Sequence, residues 1–204
     1  MIVIFDRQHH GKPGRNDVGA TFDLDRDGLV ETQEMEANIT PYYYLPAKKL
    51  LEERGHSAIV LDYGWYKTRH EKANAIARAN PGQRVAYLAC HVNAGMGDYA
   101  AFIHDSRSAG GKELSEALAY AFRSPPLRGI RRALVRAGSP SNGWKNGYYT
   151  VAGIWAGPSN ISGTCLEPFF LDRAEHQWLA SVDGGVQIAR RLVRGLLRWA
   201  GEAT

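Results

Sequence analysis

The stretch from Ala86 to Gly95, AYLACHVNAG, constrains the fold more than any other. It is a short apolar run that ends in Cys90-His91-Val92-Asn93-Ala94 and then glycine. Val85, Tyr87 and Leu88 suit a buried strand, and the small residues and glycine after His91 suit a loop. An imidazole therefore stands at the C-terminal lip of a strand, where ligands and reacting groups collect in an α/β sheet. A lone histidine in such a place is commonly a hydrogen-bonded structural residue. Its partners have to come from the rest of the chain.

The chain has 204 residues, 44% of them hydrophobic, which suits one domain over residues 1–204 with a single core. A formal charge of +4 and a pI near 9.1 favour contact with polyanions, whether nucleic acid or an anionic cell wall. The basic residues are scattered or lie along one helix face, with no aromatic RNA-binding motif or helix-turn-helix pattern, so nucleic acid is not the expected partner. Cys90 and Cys165 are too few for a disulfide scaffold, lack the spacing of a structural zinc site, and read as buried thiols in strand-like runs. The start, Met1 to Asp6, reads as a first strand, with no basic leader or cleavage site. No segment approaches the roughly 20 apolar residues of a membrane span. The expectation is a monomer made in the cytoplasm without a signal peptide and without membrane insertion.

The first strand runs into Arg7-Gln8-His9-His10-Gly11-Lys12-Pro13-Gly14, which carries two imidazoles to a second strand end. Two separate strand-end histidine sites in one small domain point to a shared metal. Next, Asp23-Leu24-Asp25-Arg26-Asp27-Gly28-Leu29-Val30-Glu31-Thr32-Gln33-Glu34 fits the twelve-residue calcium loop. Asp23, Asp25, Asp27, Glu31 and Glu34 supply side-chain oxygens, Leu29 a backbone carbonyl, and Gly28 the sharp turn. One unpaired loop suits a structural calcium that stiffens a connection better than it suits a calcium sensor.

Glu36 opens an amphipathic stretch ending at Gly55, interrupted by Pro41 and Pro46. Thr40 is placed to cap a helix starting at Pro41, and Pro46 predicts a kink or a break. Strands are predicted at Ala58 to Asp62, before His91, at Ala100 to His104 and at Tyr148 to Ala152, with helices at Arg69 to Ala79 and Lys112 to Phe122. Ser124 to Gly147, rich in Pro, Gly, Ser and Arg, predicts long loops. The last helix, near Gly184 to Trp199, turns Val186, Ala189, Leu192, Val193, Leu196 and Leu197 inward and its arginines mostly outward. The alternation predicts one α/β domain with a mixed, mostly parallel β-sheet flanked by helices, carrying a calcium-loop-like insertion at 23–34.

Gly163 to Phe170 is strand-like and apolar except for Glu167. A carboxylate in such a run is costly to bury unless it is paired, protonated or near a cation, which marks it as a site residue. His9, Glu36, His91 and Glu167 then make a hydrolytic set of three metal ligands and one acid/base.

These segments, taken together over nearly the whole chain, resemble the zinc-dependent N-acetylmuramoyl-L-alanine amidases, cell-wall hydrolases that include phage lysins. Asp6-Arg7-Gln8-His9-His10-Gly11 resembles the family's strand-end aspartate and Gly-His-Gly-Gly loop, with two glycines replaced. Arg69 to Asn74 resembles its Arg-x-x-x-Ala-Asn helix. Ala89 to Ala94 resembles Ser-x-His-x-Asn-Ala with the serine replaced, and Leu166-Glu167-Pro168-Phe169-Phe170 its Val-Glu-x-Gly-Phe strand. The replaced glycines leave His9 and His10 as alternatives. The insertion leaves Glu34 and Glu36 as alternatives, with spacing back from Gly55 favouring Glu36 for zinc and Glu34 for calcium.

The resemblance implies hydrolysis of the amide between N-acetylmuramic acid and L-alanine in peptidoglycan. Zinc on His9, Glu36 and His91 would lower the pKa of a bound water to about 7, and Glu167 would move the protons. Rival readings are a zinc hydrolase of another amide and a non-catalytic, calcium-dependent wall- or glycan-binding module.

Overall fold

The computed structural model describes residues 1–138 and 149–203. Six strands form one sheet in the order β2-β1-β3-β6-β4-β5. They are β1 (Ile2–Arg7), β2 (Ser57–Leu61), β3 (Val85–Cys90), β4 (Tyr99–Asp105), β5 (Arg132–Gly138) and β6 (Ile161–Glu167). Every pairing is parallel except that of β4 with β6, so the sheet is mixed and mostly parallel. All six residues of β3 are buried, which is why its sequence is apolar throughout rather than alternating. In register, Arg7 lies beside Cys90 and Cys90 beside Leu166, so β1, β3 and β6 end together at one edge. His9, His91 and Glu167 lie at or just beyond that edge.

Helices cover both faces. α2 (Pro41–Glu52), α4 (Ala109–Arg123) and α6 (Val182–Ala200) close the larger core with Phe5, Leu88, Phe102 and Leu166. α3 (Tyr66–Ala79) and α5 (Ala152–Trp155) cover the other face, where Ala73, Ala77 and Ile154 meet Ile4, Tyr87 and Cys165. Cys90 and Cys165 are both buried, on neighbouring strands, as their sequence context predicts. α6 begins where the Ser181 hydroxyl accepts from Gly184 N and stops at Gly201, whose φ of +82° suits glycine. No helix among the described residues is long and apolar enough to cross a membrane.

Two expectations are corrected. The loop expected from Ser124 to Gly147 contains β5, paired with β4 from Tyr99↔Arg132 to Asp105↔Gly138. Its edge position leaves arginines along RALVRAG and hides the strand from an apolar pattern. Residues 139–147 lie outside the described residues. The strand expected at Tyr148 to Ala152 is a turn over 149–151 followed by α5, and Tyr148 lies outside the described residues. Side chains of α3 occupy the backbone groups a strand would need: His70 Nε2 bonds Thr150 O at 2.8 Å and Asn74 Nδ2 donates to Gly153 O at 3.0 Å.

The proline-interrupted stretch is a broken helix, with α1 (Glu36–Ile39) joined to α2 at Thr40. Thr40 keeps helical angles and its side chain does not cap, because the last turn of α1 runs directly into α2. Pro46 has no N–H to offer the Tyr42 carbonyl. Gly185 of α6 lies against that carbonyl, so closely that a Cβ at Gly185 would stand 2.2 Å from Tyr42 O. Alanine would gain about 1 kcal/mol of helix propensity, but overpacking costs about 1–3 kcal/mol, and here the obstacle is backbone. Gly185→Ala is therefore expected to lower unfolding stability by at least about 1 kcal/mol in urea titrations.

Candidate metal centre

The site begins with a buried ion pair. Asp6, at the end of β1, and Arg69, on the first turns of α3, are both fully buried and bonded through Asp6 Oδ1. Tyr87 OH and Gln8 Nε2 donate to the other oxygen of Asp6. The Arg69 guanidinium also donates to the carbonyls of Arg7, His10 and Gly64, the last at 2.7 Å. These bonds fasten the chain on either side of His9, so the imidazole leaves the sheet edge on a fixed path.

Glu36 opens α1 and is buried. Its Oε2 accepts from Ala20 N at 2.7 Å and its Oε1 from Val92 N at 2.8 Å. Oε1 also lies 2.9 Å from His91 Nδ1, and Oε2 lies 3.5 Å from His9 Nε2. The two histidines meet edge to face, with His9 Nε2 3.0 Å from His91 Nδ1. Gly19 permits this closeness, since a Cβ there would stand 2.4 Å from Glu36 Oε2 and 2.8 Å from His9 Cδ2.

His9 Nδ1 lies 2.8 Å from Asp17 Oδ1, and Lys12 Nζ holds Asp17 Oδ2. A carboxylate facing Nδ1 accepts a hydrogen bond from the proton on that nitrogen and leaves Nε2 with its lone pair facing Glu36 and His91. Burial pushes Asp17 up, but bonds from Lys12 and His9 hold it well below the usual carboxylate range. Burial likewise opposes charge on Glu36 and His91. Their mutual bond overrides it, lowering Glu36 from 4.5 and raising His91 from 6.5.

The donor set fits zinc. A tetrahedron with bonds of about 2.0–2.1 Å has edges of roughly 3.3 Å; the two histidine nitrogens stand 3.0 Å apart, and the Glu36 carboxylate faces His91 through Oε1 at 2.9 Å and His9 through Oε2 at 3.5 Å. Two histidines and a carboxylate are a hydrolytic zinc set, and the three residues form one candidate metal group among the described residues.

Glu167, at the end of β6 and half-buried, lies outside that group. Asn93 Nδ2 donates to its Oε2, while Asn93 N bonds Phe169 O and Leu171 N bonds Asn93 O, each at 2.9 Å. The segment after His91 is thereby stitched to the segment after Glu167. His10, the alternative to His9, is exposed and bonds Asp62 O at 3.0 Å.

Glu34, the alternative to Glu36, faces the acidic loop, accepting from the backbone of Leu24, Asp25 and Glu31. In that loop the carboxylates of Asp23, Asp25 and Asp27 converge, as do those of Asp25, Glu31 and Glu34. Asp23 accepts from Arg26 N and Gly28 N, and Asp27 accepts from Leu29 N. Sequence reasoning did not find Asp17, Lys12 or Gly19. No periodicity marks them, and the available signal was a carboxylate eight residues beyond His9 in a glycine-containing loop.

An α/β sheet with a two-histidine, one-carboxylate cluster at the carboxyl edge of its parallel strands is a scaffold for metal-assisted hydrolysis. No protein-family model and no curated protein matches the sequence. Solved structures match the fold, and they are those of N-acetylmuramoyl-L-alanine amidases. The CwlD amidase of Clostridioides difficile, solved with the GerS lipoprotein, superposes at a TM-score of 0.67 with 17% identity over 98% of each chain. AmiC2 of Nostoc punctiforme gives 0.67 with 18% identity over 99% of this chain and 98% of that one. The catalytic domain of the CD27L endolysin, which targets Clostridia difficile, gives 0.60 with 18% identity over 97% and 96%.

The Glu36–His91 pair sets a pH dependence in metal-free protein. His91 is raised, so its contribution is complete below about 6.5 and is lost as pH rises through the folded value. Glu36 is lowered, so its contribution is complete above about 4.5 and is lost as pH falls. The stability difference between chelator-treated wild type and His91→Asn is therefore expected to be largest between about pH 4.5 and 6.5 and to shrink as pH rises through the folded His91 value. A difference that stays flat through that rise in urea titrations would show the pair to be uncoupled.

Proposed function

We propose that this protein is a zinc-dependent amidase that cleaves the bond between N-acetylmuramic acid and L-alanine in peptidoglycan. The observation that carries the reading is the convergence of His9 Nε2, His91 Nδ1 and the Glu36 carboxylate at the sheet edge that also bears Glu167. The shared fold of amidases supports it.

His9, Glu36 and His91 would hold the metal, and Asp17 fixes His9 in the tautomer that can ligate. Zinc, when bound, supplies Lewis acidity toward an amide carbonyl and toward water. Glu167, oriented by Asn93, accepts a proton from the attacking water and delivers it to the nitrogen of L-alanine as the C–N bond breaks. Water thus ends as the hydroxyl of the muramoyl carboxyl group and the proton on the amine.

Glu167→Gln preserves shape and hydrogen bonding but cannot take that proton. Loss of a general acid/base costs about 10²- to 10⁴-fold in rate. The variant is expected to keep its zinc and its peptidoglycan binding while release of L-alanine amino termini falls at least roughly a hundredfold. His91→Ala and Glu36→Ala are expected to lose zinc as well, since each removes a ligand. Turnover within a few-fold of wild type in Glu167→Gln would make Glu167 structural, and zinc loss in that variant would make it a ligand.

The acidic loop is proposed as a structural calcium site formed by Asp23, Asp25, Asp27, the Leu29 carbonyl, Glu31 and Glu34. A side-chain hydrogen bond to Glu34 raises Glu31, and a cation between the two carboxylates would take the place of that shared proton. Millimolar calcium is expected to raise the melting temperature of the wild type and to leave Asp23→Ala and Asp27→Ala unchanged. An unmoved wild-type melting curve would leave the loop a solvated turn.

A further inference from the structure

Beside the metal cluster lies an aromatic loop with no catalytic part to play. Tyr63 is 60% exposed and Trp65 41%, on the connection between β2 and α3, which opens at the same sheet edge as His9. Tyr149, 45% exposed, lies against the neighbouring Tyr66 with ring centroids 5.1 Å apart.

The loop is rigid and built onto the loop that carries His9. Gly64 N donates to Gly11 O at 2.9 Å, Arg69 Nε donates to Gly64 O at 2.7 Å, and His10 Nδ1 bonds Asp62 O at 3.0 Å. Gly11 packs so tightly that a Cβ would stand 2.1 Å from Asp62 O. Lys12, almost wholly buried, places Nζ 5.9 Å from the Trp65 ring centroid and 4.5 Å from that of Tyr66, and the same Nζ holds Asp17, the partner of His9. Trp65 is therefore linked to His9 through two side chains, Lys12 and Asp17, and Tyr63 stands two residues before it on the same loop. Stacking on preset rings costs little entropy.

We propose that Tyr63 and Trp65 are a stacking platform for a pyranose ring of the glycan, on the acyl side of the scissile amide. This rests on the peptidoglycan reading of the metal centre. A sugar ring offers flat C–H faces to an indole or phenol ring and hydroxyls to water, which matches a half-exposed aromatic surface. The exposed charges beside the rings, Asp62 and Lys67, are of opposite sign and leave no net charge to attract a peptide stem, and Lys12 is turned inward to Asp17.

The test pairs kinetics with binding. Trp65→Ala is expected to raise KM on glycan-linked substrate at least tenfold, with kcat within about threefold and zinc content unchanged. Activity on a sugar-free lactoyl-L-alanyl peptide should be unaffected, and Trp65→Phe should recover most of the loss. A peptide-free oligosaccharide of N-acetylglucosamine and N-acetylmuramic acid should bind wild type and Glu167→Gln alike by calorimetry, and Trp65→Ala at least tenfold more weakly. An unchanged KM, an equal loss on the sugar-free peptide, or equal oligosaccharide binding by Trp65→Ala would overturn the platform. A wild type that binds the oligosaccharide without hydrolysing peptidoglycan would overturn the amidase reading and leave the platform standing.

Discussion

The architecture of the site depends on one buried charge pair. An isolated carboxylate or guanidinium in a protein interior costs several kcal/mol, and the pair is tolerable only when geometry is good and the remaining donors are used. Asp6 and Arg69 meet that condition: Tyr87 and Gln8 complete the carboxylate, and three backbone carbonyls take up the guanidinium. Those carbonyls belong to the two segments that must be placed, the His9 loop and the aromatic loop. A charge that must be neutralised thus serves as the fixing point for both, joining β1, α3 and the loops that crown them.

Close approach is the second constraint. Gly19 leaves room for Glu36 and His9 to share one small volume, and Gly185 lets α6 lie on a carbonyl that Pro46 leaves without its helical partner. In both places a glycine stands where backbone or a functional atom occupies the space of a Cβ. The residues from Lys12 to Ala20 wrap the cluster from outside the sheet, bringing Asp17 to His9 and the Ala20 amide to Glu36. The carboxylate therefore enters the site already hydrogen-bonded on both oxygens.

The central strands β1, β3 and β6 were legible because they are buried on both faces and read as apolar runs, with site residues at their ends. Glu167 stood out as the one charged residue in such a run. The structure places His9 rather than His10 beside His91, because Arg69 grips the His10 carbonyl and Asp62 takes the His10 ring. β5 was hidden by its arginines, a consequence of lying at an edge where one face and one side meet water. α5 was misread because its backbone bonds go to side chains of α3, long-range partners that no local pattern announces. Asp17 and Lys12 were invisible for the same reason, since their meaning lies in a loop closing back on itself.

The site residues are carried with unequal stiffness. His91 and Glu167 lie at the ends of adjacent strands, about 4.8 Å apart across the sheet, and Asn93 locks the segments that follow them. Glu36, by contrast, enters through an excursion between β1 and α2 that holds the acidic loop and the Gly19 turn and contributes no strand to the sheet. Loosening of that excursion would open the ligand cluster on one side while the spacing between His91 and Glu167 stayed set by the sheet. Under the proposed mechanism, metal retention and proton-transfer geometry would therefore fail separately, the first through a surface segment and the second only through the core.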